Sequence, residues 1–174
     1  RSWGYQLDAK GKPRLAKSLD DPHCVFTQLK SFVSRYDLAT GERTGQVPLP
    51  GLGTVGGASE RPEGGHEAWF VYTDYTTSSV VLRFDARDAS VTTWAGAPGS
   101  VEVPDVTARQ VTYRSKDGTT VRMLIISAGS GSGEAPAGPR PTILYGYGGF
   151  DISLTPAYSP NILAWVSAGG VYAV

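Results

Sequence analysis

The chain has 174 residues, and its sixteen basic and sixteen acidic side chains give a formal net charge of zero. Without a basic excess, nucleic acid is not an expected partner. The single cysteine, Cys24, excludes an intrachain disulfide and any site built from several cysteine ligands. No stretch approaches the ~18 apolar residues of a membrane helix, so no membrane partner is expected. One cysteine fits a reducing compartment, and we therefore expect a cytoplasmic protein.

Both ends of the sequence indicate a piece of a longer protein. It begins with Arg1 rather than methionine and stops within the apolar, strand-like run GGVYAV at 169–174. Because a domain seldom ends inside what reads as a buried strand, we expect the natural chain to continue.

The first part of the chain predicts short strands joined by turns. β-branched and aromatic runs alternate with Gly, Asp and small residues at a spacing of about ten residues, which favours a sandwich or a propeller without choosing between them. The segment 51–65 is rich in glycine and predicts a surface loop. The predicted strands are 25–29, 32–37, 43–47, 68–75, 80–85 and 90–94.

After residue 100 the pattern changes. Strands at 110–114 and 120–126 flank an Asp-Gly turn, the strongest short-range hairpin signal. A Gly/Ser/Pro/Ala loop at 128–138 precedes a short strand at 142–145 that we predict to be buried. A helix then begins after Ser159 as N-cap and ends before Gly169, and a strand at 171–174 is predicted parallel to 142–145. This order is typical of the start of an α/β-hydrolase sheet.

Several weaker motifs are present, but they do not indicate a cofactor site or a metal site. GLGTVG at 51–56 matches G-x-G-x-x-G but lacks the strand before it and the helix after it that a dinucleotide site needs. His23 beside Cys24 and His66 beside Glu67 are isolated pairs, more typical of loops than of a metal site. The run GSGSG at 129–133 has glycine at its centre, so it is not a nucleophile elbow.

The stretch YGYGGF at 145–150 follows a predicted strand and precedes a capped helix. In hydrolases this loop lines the oxyanion hole, where glycines let the backbone approach the substrate and a phenol can donate to the developing charge. The alternative is a glycine-rich turn with two packing tyrosines. The residues alone leave both interpretations open.

The stretches PTILYGYGGF at 141–150, SLTP at 153–156 and GGVYAV at 169–174 closely resemble the prolyl oligopeptidase family. The hairpin at 113–119 is similar to the point where that family's chain returns from its propeller to its catalytic domain. Weaker similarity extends back to residue 33, whereas residues 1–30 do not match a propeller blade.

The resemblance implies a seven-bladed β-propeller on an α/β-hydrolase domain that cleaves short peptides after proline through an acyl-enzyme. It implies partial propeller blades over 1–104 and the truncated start of the hydrolase domain over 105–174. Tyr147 resembles the tyrosine that donates to the oxyanion, and Phe150 resembles the aromatic wall of the proline pocket. Asp151 stands where relatives often have asparagine and receives no role. The catalytic serine, aspartate and histidine would lie beyond residue 174.

The expected function is therefore that of a fragment of a serine-type, monomeric prolyl oligopeptidase acting on short proline-containing peptides, with the fragment alone inactive. Two alternatives remain. The first is a non-catalytic propeller module that binds peptides. The second is a related hydrolase of the dipeptidyl peptidase or acylaminoacyl peptidase type.

Overall fold

The protein is described from a computed structural model. The described residues are 40–60, 63, 65–99, 103–129, 138–147 and 154–174, together with the strand backbones at 6–7, 13–14, 24–29 and 32–37. The chain divides into two compact units. The first comprises residues 1–50, 54–72 and 80–95, and the second comprises 51–53, 73–79 and 96–174.

The fold is rich in β-strands, and the described residues contain one helix. In chain order the elements are β1 (Gln6–Leu7), β2 (Pro13–Arg14), β3 (Cys24–Leu29), β4 (Phe32–Asp37), β5 (Arg43–Gln46), β6 (Thr54–Glu60), β7 (Glu67–Thr73), β8 (Val80–Asp85), β9 (Ser90–Gly96), β10 (Val106–Arg114), β11 (Thr120–Ala128), β12 (Thr142–Leu144), α1 (Pro160–Ser167) and β13 (Val171–Ala173). No helix in the described part of the chain is long and apolar enough to cross a membrane.

The first unit contains three separate sheets, ordered β1-β2, β3-β4-β5 and β6-β7-β8-β9. The predicted strands form antiparallel pairs, β3 with β4, β4 with β5 and β7 with β8. The turn between β8 and β9 includes Ala89 at a φ of 57°.

The core of the first unit follows from the alternation of side chains along its strands. On β7, Phe70 and Tyr72 point inward, where they pack with Leu82 and Phe84 of β8. The opposite face of β7 carries Trp69, whose ring meets that of Trp94 edge to face at 5.7 Å. Val47 and Val55 complete the buried cluster.

The prediction of a loop over 51–65 is wrong for its central part, because residues 54–60 form strand β6. Thr54 and Val55 are β-branched, and Val55 is buried in the core of the first unit. The burial of Val55 stabilises the strand and offsets the weak strand preference of Gly56 and Gly57. Tertiary packing therefore overrides the local glycine signal.

The second unit contains a mixed sheet ordered β10-β11-β13-β12. The predicted hairpin is confirmed, since β10 and β11 pair antiparallel over nine residues each. The interior strand β13 runs antiparallel to β11 and, as predicted, parallel to β12. The predicted loop at 128–138 lies mostly outside the described residues.

Helix α1 connects the two parallel strands, and its predicted ends are confirmed. Ser159 caps it by accepting a hydrogen bond from the Ile162 amide, and Pro160 opens the first turn. Leu163 and Val166 are the buried residues of the helix. After the helix, Gly169 takes a φ of 96°, a conformation that disfavours other residues.

The prediction that the strand before YGYGGF is buried is wrong. All three residues of β12 are exposed, and Leu144 keeps 74% of its surface accessible. The reason is topological, because β12 is the edge strand and has a partner, β13, on one side. The apolar composition of residues 142–144 predicts a strand, but it does not predict whether that strand lies inside the sheet or at its edge.

Candidate active site

The candidate site begins where the chain leaves β12. Leu144 pairs with Ala173, and the next amide, that of Tyr145, donates to the Ala173 carbonyl at 2.8 Å. This hydrogen bond fixes the point at which the glycine-rich stretch departs from the sheet. Tyr145 and Tyr147 both lie on the surface, with nearly half of each side chain area accessible.

The structure places the two predicted site residues differently. Tyr147 lies within the described residues, exposed, two positions after the last β12 hydrogen bond. Phe150, the predicted wall of the proline pocket, and Asp151 lie outside the described residues. Their roles therefore stay predictions.

Strand β13, which pairs with β12, carries a third tyrosine, Tyr172. Its register partners are Ile126 on β11 and Ile143 on β12. Burial raises the pKa of Tyr172 above its ordinary value, and the neighbouring Tyr145 raises it further. Tyr145 follows β12, and its amide is bound to the carbonyl of Ala173, the residue after Tyr172.

A buried aromatic residue that the sequence reasoning missed lies against Tyr172. Tyr75 is 7% exposed and belongs to the buried cluster of the second unit with Ile126 and Val166. Its ring centroid is 6.2 Å from that of Tyr172, at a tilt of 54°. Burial, and secondarily Tyr172, raise the pKa of Tyr75.

Tyr75 lies on the turn between β7 and β8, which belongs to the second unit. The turn is built on Asp74, whose Oδ1 accepts from the Thr76 amide at 2.7 Å, the Thr76 hydroxyl at 2.9 Å and the Thr77 amide at 2.6 Å. The sequence did not single it out, because the predicted strand 68–75 runs through Tyr75, whereas β7 ends at Thr73.

The same turn contacts the chain just before helix α1. The Thr73 hydroxyl donates to the Thr77 carbonyl at 3.0 Å and accepts from the Tyr158 amide at 3.3 Å. Tyr158 directly precedes the N-cap Ser159. The turn at 73–77 thus touches both β13 and the entry to α1.

Other predicted features build no second site. Strand β6 occupies the second half of the G-x-G-x-x-G stretch, where a dinucleotide site would need a helix to begin. His66 lies in a turn, where its carbonyl accepts from the Ala86 amide at 2.7 Å. Within the described ranges no three His, Cys, Asp or Glu residues gather as metal ligands would. His23 lies outside those ranges, and Cys24 is described by its strand backbone.

Comparison with known proteins identifies prolyl endopeptidases among the relatives of this chain. No protein-family profile matches the chain. A prolyl endopeptidase of Elizabethkingia miricola is 35% identical over 145 residues, which are 83% of this chain and 20% of that protein. A prolyl endopeptidase of Elizabethkingia meningoseptica is 32% identical over 143 residues, or 82% of this chain and 19% of that protein.

The fold gives the same result. A solved prolyl endopeptidase structure superimposes with a TM-score of 0.71 and 34% identity, covering 97% of this chain and 26% of the solved chain. The chain thus spans about a fifth to a quarter of the length of these relatives. Sequence identity and shared architecture along most of its length lead to one conclusion: this chain belongs to the prolyl oligopeptidase family.

Proposed function

We propose that the chain is part of a serine-type peptidase that hydrolyses short peptides on the carboxyl side of proline. The observation that carries the proposal is the 35% identity to a prolyl endopeptidase over 83% of the chain. In this proposal the full-length protein is a monomeric, cytoplasmic enzyme that uses no cofactor.

We further propose that residues 1–104 supply the last blades of a β-propeller and that 105–174 begin an α/β-hydrolase domain. Antiparallel four-stranded order in β6-β7-β8-β9 supports the first assignment, since propeller blades are four-stranded sheets. The hairpin β10-β11, followed by parallel strands β12 and β13 around α1, supports the second.

In the proposed mechanism, this chain stabilises the negative charge that develops on the carbonyl oxygen of the peptide. A serine supplied by another part of the protein attacks the peptide carbonyl, the carbonyl oxygen becomes an oxyanion, and loss of the amine leaves an ester on the serine that water hydrolyses. The Tyr147 hydroxyl donates a hydrogen bond to that oxyanion. Its exposure at the end of β12 and the hydrogen bond that anchors the adjacent Tyr145 amide support this role.

Phe150 completes the proposal as the residue that packs against the substrate proline ring. Its support is its position in the stretch YGYGGF, which matches the family motif. An aromatic wall suits a proline because both present flat apolar surfaces without hydrogen-bond demands.

Replacing Tyr147 with phenylalanine in the full-length protein tests the assignment, because the ring stays and one donor is lost. We expect kcat to fall by about 10²–10³-fold, or about 2.7–4 kcal/mol of transition-state stabilisation, as for other single oxyanion donors. KM should change little, since the hydrogen bond strengthens as charge develops. Steady-state hydrolysis of a proline-containing fluorogenic peptide measures both constants.

Tyr113→Phe is the matched control, because Tyr113 is equally exposed but lies on β10. It should retain wild-type kcat. A Tyr147→Phe enzyme within about threefold of wild-type kcat would remove Tyr147 from the site, since that is far below the loss of a donor. Peptide binding without cleavage would favour the non-catalytic module, and release of dipeptides or acylated amino acids would favour the related hydrolases.

A further inference from the structure

The turn at 73–77 is held more tightly than a connection between two strands requires. Asp74 accepts three hydrogen bonds with one oxygen, and the Asp74 amide itself donates to the Thr77 carbonyl at 3.1 Å. The Thr73 hydroxyl adds a further hydrogen bond to the same carbonyl. A turn with this many internal hydrogen bonds holds Tyr75, the residue after Asp74, in one orientation.

From this fixed position, Tyr75 packs against β13, the strand next to the candidate site. Its ring packs with Tyr172, which pairs with Ile143 across the parallel strands β13 and β12. The following residue, Ala173, holds the Tyr145 amide. A shift of β13 at this place therefore moves the backbone from which the segment bearing Tyr147 departs, because a packed core transmits displacement rather than absorbing it.

We propose that Tyr75 is a positioning residue for Tyr147: from the rigid Asp74 turn, its buried ring holds Tyr172 and β13 in place and so fixes the start of the segment that carries the oxyanion donor. The inference rests on the proposed function, in which Tyr147 donates to the oxyanion. Tyr75 acts through β13 and does not touch the substrate. A role of this kind matters because a displacement of about 1 Å at the chemistry can cost about 10²-fold in rate.

Tyr75→Leu in the full-length protein removes the ring but keeps an apolar side chain. We expect kcat to fall at least about tenfold, with KM changed less, because the donor is misplaced rather than the peptide released. Tyr75→Phe keeps the ring and should restore kcat to within about twofold of wild type. Phe70→Leu is the matched control, since Phe70 is equally buried but lies in the core of the first unit. It should leave kcat unchanged.

A double-mutant cycle separates positioning from general destabilisation. If Tyr75 acts through Tyr147, then Tyr75→Leu should cost less than about twofold in kcat in the Tyr147→Phe background, since the donor it positions is already absent. The same loss in both backgrounds would overturn the inference. So would a folded Tyr75→Leu enzyme with wild-type kcat.

Asp74→Ala provides a second route if the Tyr75→Leu enzyme does not fold. It loosens the turn without opening the core and should also lower kcat in a way that depends on Tyr147. Asp88→Ala is its control, because Asp88 holds the Ser90 amide in the turn after β8 in the same manner. An Asp74→Ala enzyme with wild-type kcat sinks the inference. A Tyr147→Phe enzyme with wild-type kcat would instead contradict the proposed function. A failure of the inference and a failure of the proposed function can therefore be distinguished.

Discussion

At the scale of single residues, the carboxylate of Asp85 shows how the first unit secures the end of a strand. Asp85 ends β8 and is buried. Its Oδ1 accepts from the Arg87 amide and from Arg87 Nε, both at 3.0 Å, while Oδ2 accepts from the Arg87 guanidinium at 2.6 Å. These hydrogen bonds from Arg87 lower the pKa of Asp85 far below its ordinary value.

The lowered pKa predicts an acid-dependent stability. A carboxyl group with a lower pKa in the folded state stabilises the fold at pH values above the unfolded pKa of about 3.9, and the stabilisation disappears as pH falls through the folded pKa. Asp85→Asn should therefore lower the Tm at pH 7, and the difference from wild type should shrink toward the acid end. Thermal unfolding of the full-length protein at pH 7, 4, 3 and about 2 measures it, because the loss begins only below the unfolded pKa of about 3.9.

Glu42→Gln is the control for the Asp85 experiment, because Glu42 is an exposed turn residue. It should give a small Tm difference from wild type at every pH. If the Asp85→Asn difference stays constant from pH 7 to about 2, below the unfolded pKa of about 3.9, the Arg87 contact does not act through the carboxylate charge.

At the scale of elements, the link between α1 and β13 uses two adjacent glycines for different reasons. The Gly169 amide donates to the Val166 carbonyl at 2.9 Å and the Gly170 amide to the Trp165 carbonyl at 3.1 Å, the pattern of a Schellman motif. Gly169 needs its positive φ, and a β-carbon added to it would meet no atom within 4 Å. A β-carbon on Gly170 would instead collide with the Trp165 ring, which is pinned by its Nε1 donating to the Val171 carbonyl at 2.9 Å.

The two alanine variants should therefore respond differently to the size of residue 165. Gly170→Ala should destabilise by about 1–3 kcal/mol as an overpacked site, and Gly169→Ala by about 1–2 kcal/mol from its left-handed backbone. In a Trp165→Phe background the smaller ring leaves room, so the cost of Gly170→Ala should fall while that of Gly169→Ala persists. Urea unfolding of the two glycine variants, of Trp165→Phe and of the two double variants checks this, and an equal cost of Gly170→Ala in both backgrounds contradicts it.

The elements that could be predicted from the sequence are those whose signals are local. The Asp-Gly turn predicts the β10-β11 hairpin, and Ser159 with Gly169 predicts α1, because the residues that decide these structures are neighbours in the chain. Strand β6 and the exposure of β12 depend on partners far along the chain. Tyr147 could be singled out by its motif, whereas the role of Tyr75 depends on Tyr172, almost a hundred residues away.

At the scale of the whole molecule, the sheet of the second unit has two edges of different character. The edge strand β10 exposes the charged residues Arg109 and Arg114, and charges discourage pairing with another chain. The other edge, β12, exposes Ile143 and Leu144 and carries no charge. Of these two edges, β12 is therefore the one better suited to pair with a second copy of the isolated chain.

The purified 174-residue chain should accordingly be inactive and should self-associate. It holds no G-x-S-x-G nucleophile elbow, so a proline-containing fluorogenic peptide should stay intact; cleavage blocked by a serine-reactive inhibitor would overturn the proposed division of the site. Sedimentation velocity should show association that grows with protein concentration. Leu144→Lys should reduce it by placing a charge on the apolar edge, whereas Leu52→Lys, at an exposed apolar residue outside the strands, should not. Equal association of both variants would show that β12 is not the contact, since only one of the two charges lies on the edge.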